Sequence, residues 1–498
     1  MDAYPLPFNA GICERARLAR DPRFDGRFFI GVVSTGIYCR PVCPAPTAKR
    51  LNVRYFPSAA AAAEAGFRPC LRCRPEAAPG TPAWLGTSVT VRRALRLIHE
   101  GALDDGSVEQ LAGRVGVGPR HLHRLFIRHV GASPVAVAQT RRLHFAKKLI
   151  DETGLPMAQI ALASGFQSIR RFNDAFRRIY DRAPRELRRE PPPAERAAGD
   201  VQVLRLAYRP PYDWAALRDF FAARALPGVE RVTQAAYART VRVQGRSGWI
   251  EVRPVAGADV LEFTVHGLEP SALFSVAMRV RQMFDLAAAP TDVRAVLRHD
   301  SLLAPLLRSH PGLRLPGAWD AFELAVRAVL GQQVSVAAAR TFAARLVTMY
   351  GTPISGGADG LTHLFPEAAV LAAADLASLG LTRARAATLN AMAAAVRDTR
   401  LCFDAAVTPL EVRAALQRIP GIGAWTAEYV AMRALGDPDA FPAEDLVLRR
   451  VLGGGRPLTA KALLDRAENW RPWRAYAVLH VWRAAADTAA KRRKSAKR

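Results

Sequence analysis

Four of the six cysteines in this 498-residue sequence lie in two close pairs. Cys39 and Cys43 stand in "GIYCRPVC", and Cys70 and Cys73 stand in "FRPCLRC". A C-x3-C pair followed by a C-x2-C pair is typical of a site that holds one zinc ion through thiolates. Most sites with this spacing are structural and staple a small domain that has a thin core. The spacing alone therefore predicts zinc and leaves the chemistry open.

The residues around the cysteines point to a reaction. The blocks "TGIYCRPVC" and "AGFRPCLRC" resemble the amino-terminal domain of the Ada family, the regulators of the response to DNA methylation. The resemblance implies that Cys39 accepts a methyl group from a DNA methylphosphotriester while all four cysteines ligate zinc. Methylation removes one negative charge where the DNA backbone must approach, so we expect the methylated form to bind DNA more tightly.

A second chemical signal lies in the carboxy-terminal half, in "LQRIPGIGAWTAEYVAMRAL". Gly421 and Gly423 allow a tight turn and expose amide groups, which suits a DNA phosphate at the start of the following helix. Asp445 follows in "AFPAEDLVLRR". Each feature also has a structural interpretation, because Pro-Gly turns between helices are common and an aspartate beside a proline turn is often a helix cap.

The combination resembles the helix-hairpin-helix DNA glycosylases and, within them, the 3-methyladenine DNA glycosylase II (AlkA) family. The matching blocks, spread over about residues 200–485, are "AWDAFELAVRAVLGQQVSVAAART", "PGIGAWTAEYVAMRAL", "PAEDLVLRR" and "WRPWRAYAVLHVW". The resemblance implies a catalytic role for Asp445 and a lesion pocket lined by Trp425, Tyr429 and Trp482. It also implies that Gln333 fills the gap left by a flipped base. A monovalent-cation site is implied at the backbone carbonyls of Gln417, Ile419 and Ile422.

These residue types suit base excision. Electron-rich rings favour a cationic alkylated purine that has been flipped out of the duplex, and one carboxylate can stabilise the sugar and orient a water. Related enzymes that also cleave the strand carry a lysine where this sequence has Trp425, so we expect excision without lyase activity. Core packing is the alternative for any aromatic residue and is expected for Trp470 and Trp473. Glu444 is expected at the surface.

Between the two chemical regions, the sequence predicts two helix-turn-helix units. "SVEQLAGRVGVGPRHLHRLFIRHVG" opens with a capping box, Ser107 and Gln110, and turns at Gly116. "PMAQIALASGFQSIRRFNDAFRRIYDRAPRELRR" repeats the pattern around Gly165. A helical bundle with a solvated charged face is the alternative. The segment resembles the AraC-type DNA-binding domain, and seven outward-facing side chains are predicted to meet DNA: His121, His123, Arg124, Arg170, Arg171, Asn173 and Arg177.

The predicted fold class is multidomain α+β. It combines a small zinc domain, an all-α double helix-turn-helix domain, a small antiparallel-sheet α+β domain and an all-α helix-hairpin-helix glycosylase domain. Alternating apolar and polar residues around "GRSG" and in "VLEFTV" predict the strands of the sheet. The predicted boundaries are 1–80 for the zinc domain, 86–187 for the helix-turn-helix domain, 188–200 for a linker, 201–304 for the sheet domain, 305–488 for the glycosylase domain and 489–498 for a disordered basic tail.

Composition agrees with a nucleic-acid partner. A formal net charge of +27 draws the chain towards polyanions. The expected partners are double-stranded DNA and RNA polymerase, with no membrane. The sequence starts without the layout of a secretory signal and contains no apolar run of about 18 residues, so a cytoplasmic location is expected.

The combined prediction is a bifunctional protein that transfers methyl groups from DNA phosphotriesters, activates transcription and excises alkylated purines such as 3-methyladenine. The Pro-Cys-His-Arg motif of the second Ada methyltransferase domain is absent from the sequence, so activity on O6-methylguanine is not expected. One alternative is a transcription regulator whose glycosylase half only holds DNA. A further alternative is a constitutive glycosylase that carries a structural zinc domain.

Overall fold

A computed structural model describes residues 6–79, 89–188, 201–404, 407–454 and 456–495. It divides into two compact units, the first formed by residues 1–209 with 242–281 and the second by 210–241 with 282–498. Most of the predicted linker, residues 189–200, lies outside the described residues. The multidomain α+β class is confirmed. No helix in the described ranges is long and apolar enough to cross a membrane.

The cysteine-bearing segment forms a small mixed domain. Its elements are α1 (Ala10–Leu18), β1 (Phe29–Val32), β2 (Ile37–Cys39), β3 (Val53–Phe56), α2 (Ala59–Glu64) and β4 (Arg68–Pro69). The four strands pair in the order β3-β1-β2-β4, with β2 and β4 parallel. One small core cluster joins Cys13, Ala16, Phe28 and Ile30. Further buried residues of this domain are Phe29, Tyr38, Phe56, Ala61 and Phe67.

Six helices follow in the described part of residues 89–188. They are α3 (Val89–His99), α4 (Val108–Arg114), α5 (Pro119–Val130), α6 (Pro134–Glu152), α7 (Met157–Ala163) and α8 (Ile169–Tyr180). The capping box at Ser107 and Gln110 is present at the start of α4. Gly116 and Gly165 have positive φ angles of 77° and 81° in the turns before α5 and α8. The two predicted helix-turn-helix units are therefore confirmed as local structure.

Strands and short helices alternate after residue 200. The elements are β5 (Val201–Ala207), α9 (Trp214–Ala222), β6 (Glu230–Val232), β7 (Tyr237–Val243), β8 (Arg246–Pro254), β9 (Val260–His266) and α10 (Leu273–Met283). In the first unit, β5, β9 and β8 are antiparallel neighbours, with Leu204 opposite Phe263 and Val252 opposite Phe263 on the other side. In the second unit, Arg231 of β6 lies opposite Ala238 of β7.

The hairpin between β7 and β8 turns earlier than predicted. The turn residues are Gln244 and Gly245, with φ angles of 50° and 75°, and Arg246 already belongs to β8. Two residues with positive φ match the twist of the flanking strands, which a turn centred on "GRSG" would not do. Gly248 serves packing instead, because a Cβ there would lie 2.3 Å from the carbonyl oxygen of His266.

β5 lies at the edge of its sheet, and α6 covers that edge. The amide nitrogen of Arg205 donates to Glu152 Oε2 at 3.0 Å, and Lys148 Nζ donates to the carbonyl oxygen of Arg205. Phe145 of α6 also packs edge-on against Phe274, with ring centroids 4.8 Å apart. The helix-turn-helix segment and the sheet segment are thus joined within the first unit.

The second unit is helical from residue 290 onward, apart from one short pair of strands. Its elements are α11 (Pro290–Leu297), α12 (Leu303–Ser309), α13 (Ala321–Leu330), α14 (Val336–Tyr350), β10 (Thr352–Pro353), β11 (His363–Leu364), α15 (Ala368–Ala373), α16 (Arg383–Arg397), α17 (Pro409–Gln417), α18 (Ala424–Arg433), α19 (Leu446–Leu452), α20 (Ala460–Ala467) and α21 (Arg474–Ser495). One large core cluster runs through these helices and includes Trp470 and Trp473, which are 1% and 4% exposed as expected for core residues.

The last helix enters the segment 489–498, for which the sequence predicts a disordered basic tail. Helix α21 continues to Ser495. The sequence "AAKRRKS" explains the extension, because alanine, lysine and arginine are strong helix formers and basic residues are favourable near a helix carboxy terminus. Residues 496–498 lie outside the described part of the chain.

Candidate functional site

The four paired cysteines converge at one point. Cys39 ends β2, Cys43 follows one turn later, and Cys70 and Cys73 come directly after β4. Their four Sγ atoms lie within 4.8 Å of one another. A tetrahedral zinc ion with Zn–S bonds of about 2.3 Å would place the sulfurs about 3.8 Å apart, so the donor set and spacing fit Zn²⁺. Hydrogen bonds with the other three thiols raise the pKa of Cys73, whereas hydrogen bonds within the same cluster lower the pKa values of Cys43 and Cys70.

Backbone amides donate to three of the four sulfurs. Cys43 accepts from Ala45, Cys70 from Arg72 at 3.4 Å and Cys73 from Arg40 at 3.3 Å. Cys39 and Cys43 are half-buried, whereas Cys70 and Cys73 are buried. Cys39 and Cys43 are therefore the two more accessible sulfurs of the cluster.

Arg40 connects the cysteine cluster to Asp25. Its guanidinium forms a buried ion pair with Asp25, and its Nη1 donates to the carbonyl oxygen of Cys73 at 3.0 Å. The carbonyl oxygen of Asp25 in turn accepts from Arg209 Nε at 2.9 Å, and Arg209 is fully buried. A residue just past β5 is therefore bonded to the loop that supports the zinc site.

The residue before Cys39 bonds to the helix-turn-helix segment. Tyr38 OH lies 2.8 Å from Nε2 of His144 on α6, and both side chains are enclosed. Burial lowers the pKa of His144 to about 4, so its ring is neutral near pH 7. Nε2 of the neutral ring can accept a hydrogen bond from the Tyr38 hydroxyl. Arg74, directly after Cys73, pairs with Asp151 of α6 at 2.8 Å. Both flanks of the cysteine cluster thus contact one helix.

The basic faces of α5 and α8 point to solvent. Six of the seven side chains predicted to meet DNA are exposed: His121, His123, Arg124, Arg170, Arg171 and Arg177. Asn173 is half-buried. The opposite faces are buried through Leu122 and Phe126 in α5 and through Phe172 and Phe176 in α8. The geometry therefore presents two basic helix faces to solvent.

In the second unit, Asp445 lies between two tryptophans. Trp425 Nε1 donates to Oδ2 at 3.0 Å, and Trp482 Nε1 donates to Oδ1 at 3.2 Å. Oδ1 also accepts the amide of Leu448 at 3.0 Å, which makes Asp445 the N-cap of α19. The carboxyl group is 9% exposed, whereas its neighbour Glu444 is exposed as expected. The capping interpretation and the functional one are both compatible with this geometry.

An aromatic cluster adjoins the carboxylate. Trp425 and Tyr429, one helical turn apart on α18, are stacked with centroids 5.2 Å apart at 13°. Trp482 of α21 lies 6.1 Å from Tyr429. Arg433 Nη1 donates to Tyr429 OH at 2.8 Å. Burial acts to raise the pKa of Tyr429, but Arg433 and Arg224 outweigh it and lower that pKa.

The "PGIG" turn joins α17 to α18 and is bonded to the loop before α14. Gly421 has a φ of 89°, whereas Gly423 is extended at the start of α18. Gln332 Nε2 donates to the carbonyl oxygen of Gly421 at 3.0 Å. Gln333 is exposed and has a left-handed φ of 56°. Arg385 Nη2 holds the carbonyl oxygen of Gln332 at 2.7 Å.

Sequence reasoning missed Arg40, Gln332, Arg385 and Arg433. Each acts through a hydrogen bond to another site residue. Arg40, Gln332 and Arg433 lie inside the matching blocks, which was the available signal, whereas Arg385 lies outside them.

Family models match almost the whole chain. They are the metal binding domain of Ada at residues 12–76, a helix-turn-helix domain at 111–190, the AlkA N-terminal domain at 203–320 and the HhH-GPD superfamily base excision DNA repair protein at 326–472. Fold and sites together define the class: a zinc-dependent DNA-binding regulator joined to a helix-hairpin-helix base-excision enzyme. The four-cysteine cluster is its Zn²⁺ site.

Curated relatives place the chain more closely. A probable bifunctional transcriptional activator/DNA repair enzyme AlkA of Mycobacterium tuberculosis (strain ATCC 25618 / H37Rv) is 42% identical over 475 residues, covering 94% of this chain and 95% of the relative. The chain belongs to this family of bifunctional transcriptional activator/DNA repair enzymes. DNA-3-methyladenine glycosylase 2 of Escherichia coli is 37% identical over 56% of this chain and 95% of its own length. Ada of Escherichia coli is 43% identical over 25% of this chain and 34% of its own length.

Proposed function

We propose that one chain carries out two repair reactions on methylated DNA: methyl transfer to Cys39 and excision of alkylated purines that depends on Asp445. The observation that carries the proposal is the buried Asp445 carboxylate, held at 3.0 and 3.2 Å by two indole nitrogens beside a stacked aromatic pair. The domain boundaries that we assign to these activities are those predicted from the sequence.

In the first reaction, Cys39 Sγ attacks the methyl carbon of a methylphosphotriester. A carbon–sulfur bond forms, the carbon–oxygen bond breaks, and the DNA phosphodiester leaves as an anion. Bound Zn²⁺ supplies the low thiol pKa that keeps the cysteines as thiolates. The thioether product has no hydrolytic route back to the thiolate, so each chain reacts once. The half-buried position of Cys39 supports it as the methyl acceptor over Cys70 and Cys73, which are buried.

Methyl transfer also serves as a signal. Four thiolates around one Zn²⁺ carry a formal charge of minus two, and methylation of one sulfur removes a negative charge at the DNA backbone. The methylated protein then binds its promoter through the exposed basic faces of α5 and α8 and recruits RNA polymerase. The contacts of Tyr38 and Arg74 with α6 support a common DNA surface for the zinc domain and these helices.

In the second reaction, the alkylated purine leaves the duplex and stacks against Trp425, Tyr429 and Trp482. The electron-rich rings favour a cationic base, and Asp445 stabilises positive charge on the sugar as the bond between its anomeric carbon and the base nitrogen breaks. The base leaves with the electron pair of that bond, and a water adds to the anomeric carbon and loses its proton to solvent. Trp425 occupies the position of the lysine in strand-cleaving relatives, and an indole forms no Schiff base, so the enzyme has no lyase activity.

The docking elements surround this pocket. Gly421 and Gly423 present amides to a DNA phosphate, and exposed Gln333 fills the gap left by the flipped base. The backbone carbonyls of Gln417, Ile419 and Ile422 would hold a monovalent cation, which would supply positive charge for a DNA phosphate.

The test incubates purified protein with methylated duplex DNA and follows protein mass and released bases. We expect a gain of one methyl group that is lost in Cys39→Ser but kept in Cys402→Ser, and release of 3-methyladenine that is lost in Asp445→Asn. Methyl gain without base release would leave the regulator-only alternative. Base release without methyl gain would reduce the cysteine cluster to a structural zinc site.

A further inference from the structure

Asp445 stands at the end of a segment that is fixed along its length. The segment Asp437–Asp445, here called the strap, connects α18 to α19 and includes the buried residues Pro438, Ala440, Phe441 and Pro442. Loops at a surface are usually solvated. The strap is instead bonded to α18 and α21, the helices that carry Trp425 and Trp482 of the aromatic pocket.

Helix α21 holds the strap at both ends. Arg474, its first residue, binds the Asp439 carboxylate in a bidentate pair, with Nε to Oδ1 at 2.8 Å and Nη2 to Oδ2 at 3.1 Å. The amide of Ala475 donates to the carbonyl oxygen of Pro438 at 2.9 Å. Two turns further along the same helix, Trp482 holds Asp445 itself. A helix rises about 1.5 Å per residue, so one rigid rod of about 12 Å spaces the two anchors.

The hairpin helices hold the other side of the strap. Arg413 of α17 pairs with Asp437 at 2.7 Å and with Glu428 of α18 at 2.8 Å. Glu428 Oε2 accepts the amide of Phe441 at 3.0 Å. Trp425 of α18 completes the set through its bond to Asp445. The charged groups are only 12–26% exposed, so water screens these pairs less than it screens surface pairs.

We propose that Arg413 and Arg474 are positioning residues for base excision, which they support by fixing the strap that delivers Asp445 to the aromatic pocket. The inference rests on the proposed role of Asp445. Each arginine acts through a carboxylate of the strap, Arg413 through Asp437 and Arg474 through Asp439. Since α17 and α18 also form the turn that docks DNA, Arg413 further links the docking hairpin to the carboxylate.

The chemistry explains why such anchoring matters. A carboxylate that stabilises a developing cation must sit at a defined distance from the sugar, and a shift of about 1 Å can cost about a hundredfold in rate. Removal of Arg474 leaves Asp439 with Arg471 alone, a more exposed partner at 47%. The strap then gains freedom at the end that lies opposite Asp445.

The test compares Arg474→Ala and Arg474→Lys with a matched control, Arg466→Ala. Arg466 forms a similar bidentate pair with Asp300, at 2.9 and 3.1 Å, on α20 of the same unit. The measurements are the single-turnover rate of 3-methyladenine release from methylated duplex DNA, the dissociation constant for that DNA, and the midpoint of thermal unfolding.

We expect Arg474→Ala to lower the single-turnover rate about tenfold to a hundredfold while changing the dissociation constant less than about threefold. Arg474→Lys, which keeps the charge but not the bidentate geometry, should recover part of the rate. Arg466→Ala should lower the unfolding midpoint by a similar amount and leave the excision rate within about twofold. Equal rate losses in Arg474→Ala and Arg466→Ala, or an unchanged rate in Arg474→Ala, would overturn the inference.

Wild type and Asp445→Asn run in parallel separate the two claims. Wild-type protein that releases no base contradicts the proposed function itself. Wild-type protein that releases base, with Arg474→Ala equally fast, contradicts only the role of the strap anchors.

Discussion

At the scale of single residues, Asp445 caps a helix and, in the proposed function, also serves as the catalytic carboxylate. Its Oδ1 caps α19 through the amide of Leu448, and both oxygens accept indole N–H groups from Trp425 and Trp482. Capping requires an acceptor oxygen, whereas stabilising a cationic sugar requires a negative charge. A substitution that keeps the oxygen and removes the charge can separate the two tasks.

Asp445→Asn is that substitution, because asparagine caps helices about as well as aspartate. We expect the excision rate to fall by about two to four orders of magnitude, as for loss of a catalytic acid or base. The free energy of unfolding should fall by only about 1 kcal/mol, since one acceptor oxygen is lost. Single-turnover base release and chemical denaturation measure the two effects.

The exposed neighbour provides the control for this substitution. Glu444→Gln removes the same charge one residue away and should leave both quantities near wild type. Equal rate losses in the two variants would assign the effect to the local field and not to Asp445.

At the scale of elements, two glycines of the same turn have different requirements. A Cβ on Gly421 would lie 2.2 Å from Thr388 Oγ1, and its φ of 89° disfavours any side chain. A Cβ on Gly423 would meet no atom within 4 Å, and φ is −90°. Gly421 therefore shapes the turn, whereas Gly423 leaves its amide open.

Gly421→Ala should lower the free energy of unfolding by about 1–3 kcal/mol. Gly423→Ala should change it by about 1 kcal/mol or less, the usual cost of alanine at an N-cap, while weakening DNA binding because the methyl group obstructs a phosphate. Thermal unfolding and a DNA-binding titration distinguish the variants. A Gly423→Ala protein with wild-type affinity would remove this amide from the docking surface.

Local signals predicted the elements better than the contacts between them. The capping box at Ser107 and the turns at Gly116 and Gly165 could be read from neighbouring residues, because caps and turns depend on side chains a few positions apart. The bond from Gln332 to Gly421 could not, since 89 positions separate the two. The strap anchors escaped for the same reason, as Arg413 and Asp437 carry no motif.

Pattern reasoning also met limits inside elements. The glycines of "GRSG" indicated a hairpin between β7 and β8, but the turn itself lies at Gln244 and Gly245. Gly248 does not have a positive φ, and a glycine is needed there because a Cβ would collide with β9. The run of basic residues at 489–498 predicted a disordered tail, whereas α21 extends to Ser495. The alanine, lysine and arginine residues of this run favour a helix. By contrast, spacing and resemblance identified both sets of candidate residues. The four cysteines lie together in one cluster. Asp445, Trp425, Tyr429 and Trp482 lie together in another.

Zinc is expected to matter most to the element that carries the cysteines. The four cysteines come from two separate segments of the zinc domain, and their Sγ atoms lie within 4.8 Å of one another, so a bound ion would join these segments. A strong chelator should therefore increase amide hydrogen exchange in β1–β4 and abolish methyl uptake, as for other small metal-held domains. Exchange in α17–α21 should stay unchanged. Exchange that is unaffected in β1–β4 would show that apolar packing alone holds the domain.

At the scale of the whole molecule, the first unit unites segments that family models treat as separate. Arg209 bonds to the loop of Asp25, Tyr38 bonds to His144 of α6, and α6 bonds to β5. The zinc domain, the helix-turn-helix segment and three strands of the sheet segment therefore form one compact unit. Cooperative unfolding of these segments is the expected consequence.

Arg209→Ala tests that cooperation. Arg209 is 0% exposed, so its removal leaves a cavity and an unpaired carbonyl, and the free energy of unfolding of the first unit should fall by about 2–4 kcal/mol. The matched control is Arg205→Ala, whose side chain is 48% exposed and pairs with Glu262 at 3.0 Å; this loss should cost less than about 1 kcal/mol. Calorimetry of both variants measures the difference. Similar losses would mean that Arg209 does not couple the segments.

The cover that α6 places on β5 has a consequence for solubility. The outward-facing amide and carbonyl of Arg205 are bonded by Glu152 and Lys148 and are not left open. An uncovered sheet edge is a template on which another chain can add a strand. A shortened protein that starts at residue 201 would carry this edge bare, and it should self-associate through β5 at concentrations where the full chain stays dispersed. In the full chain, α6 covers the edge strand β5 and should thereby hinder this self-association.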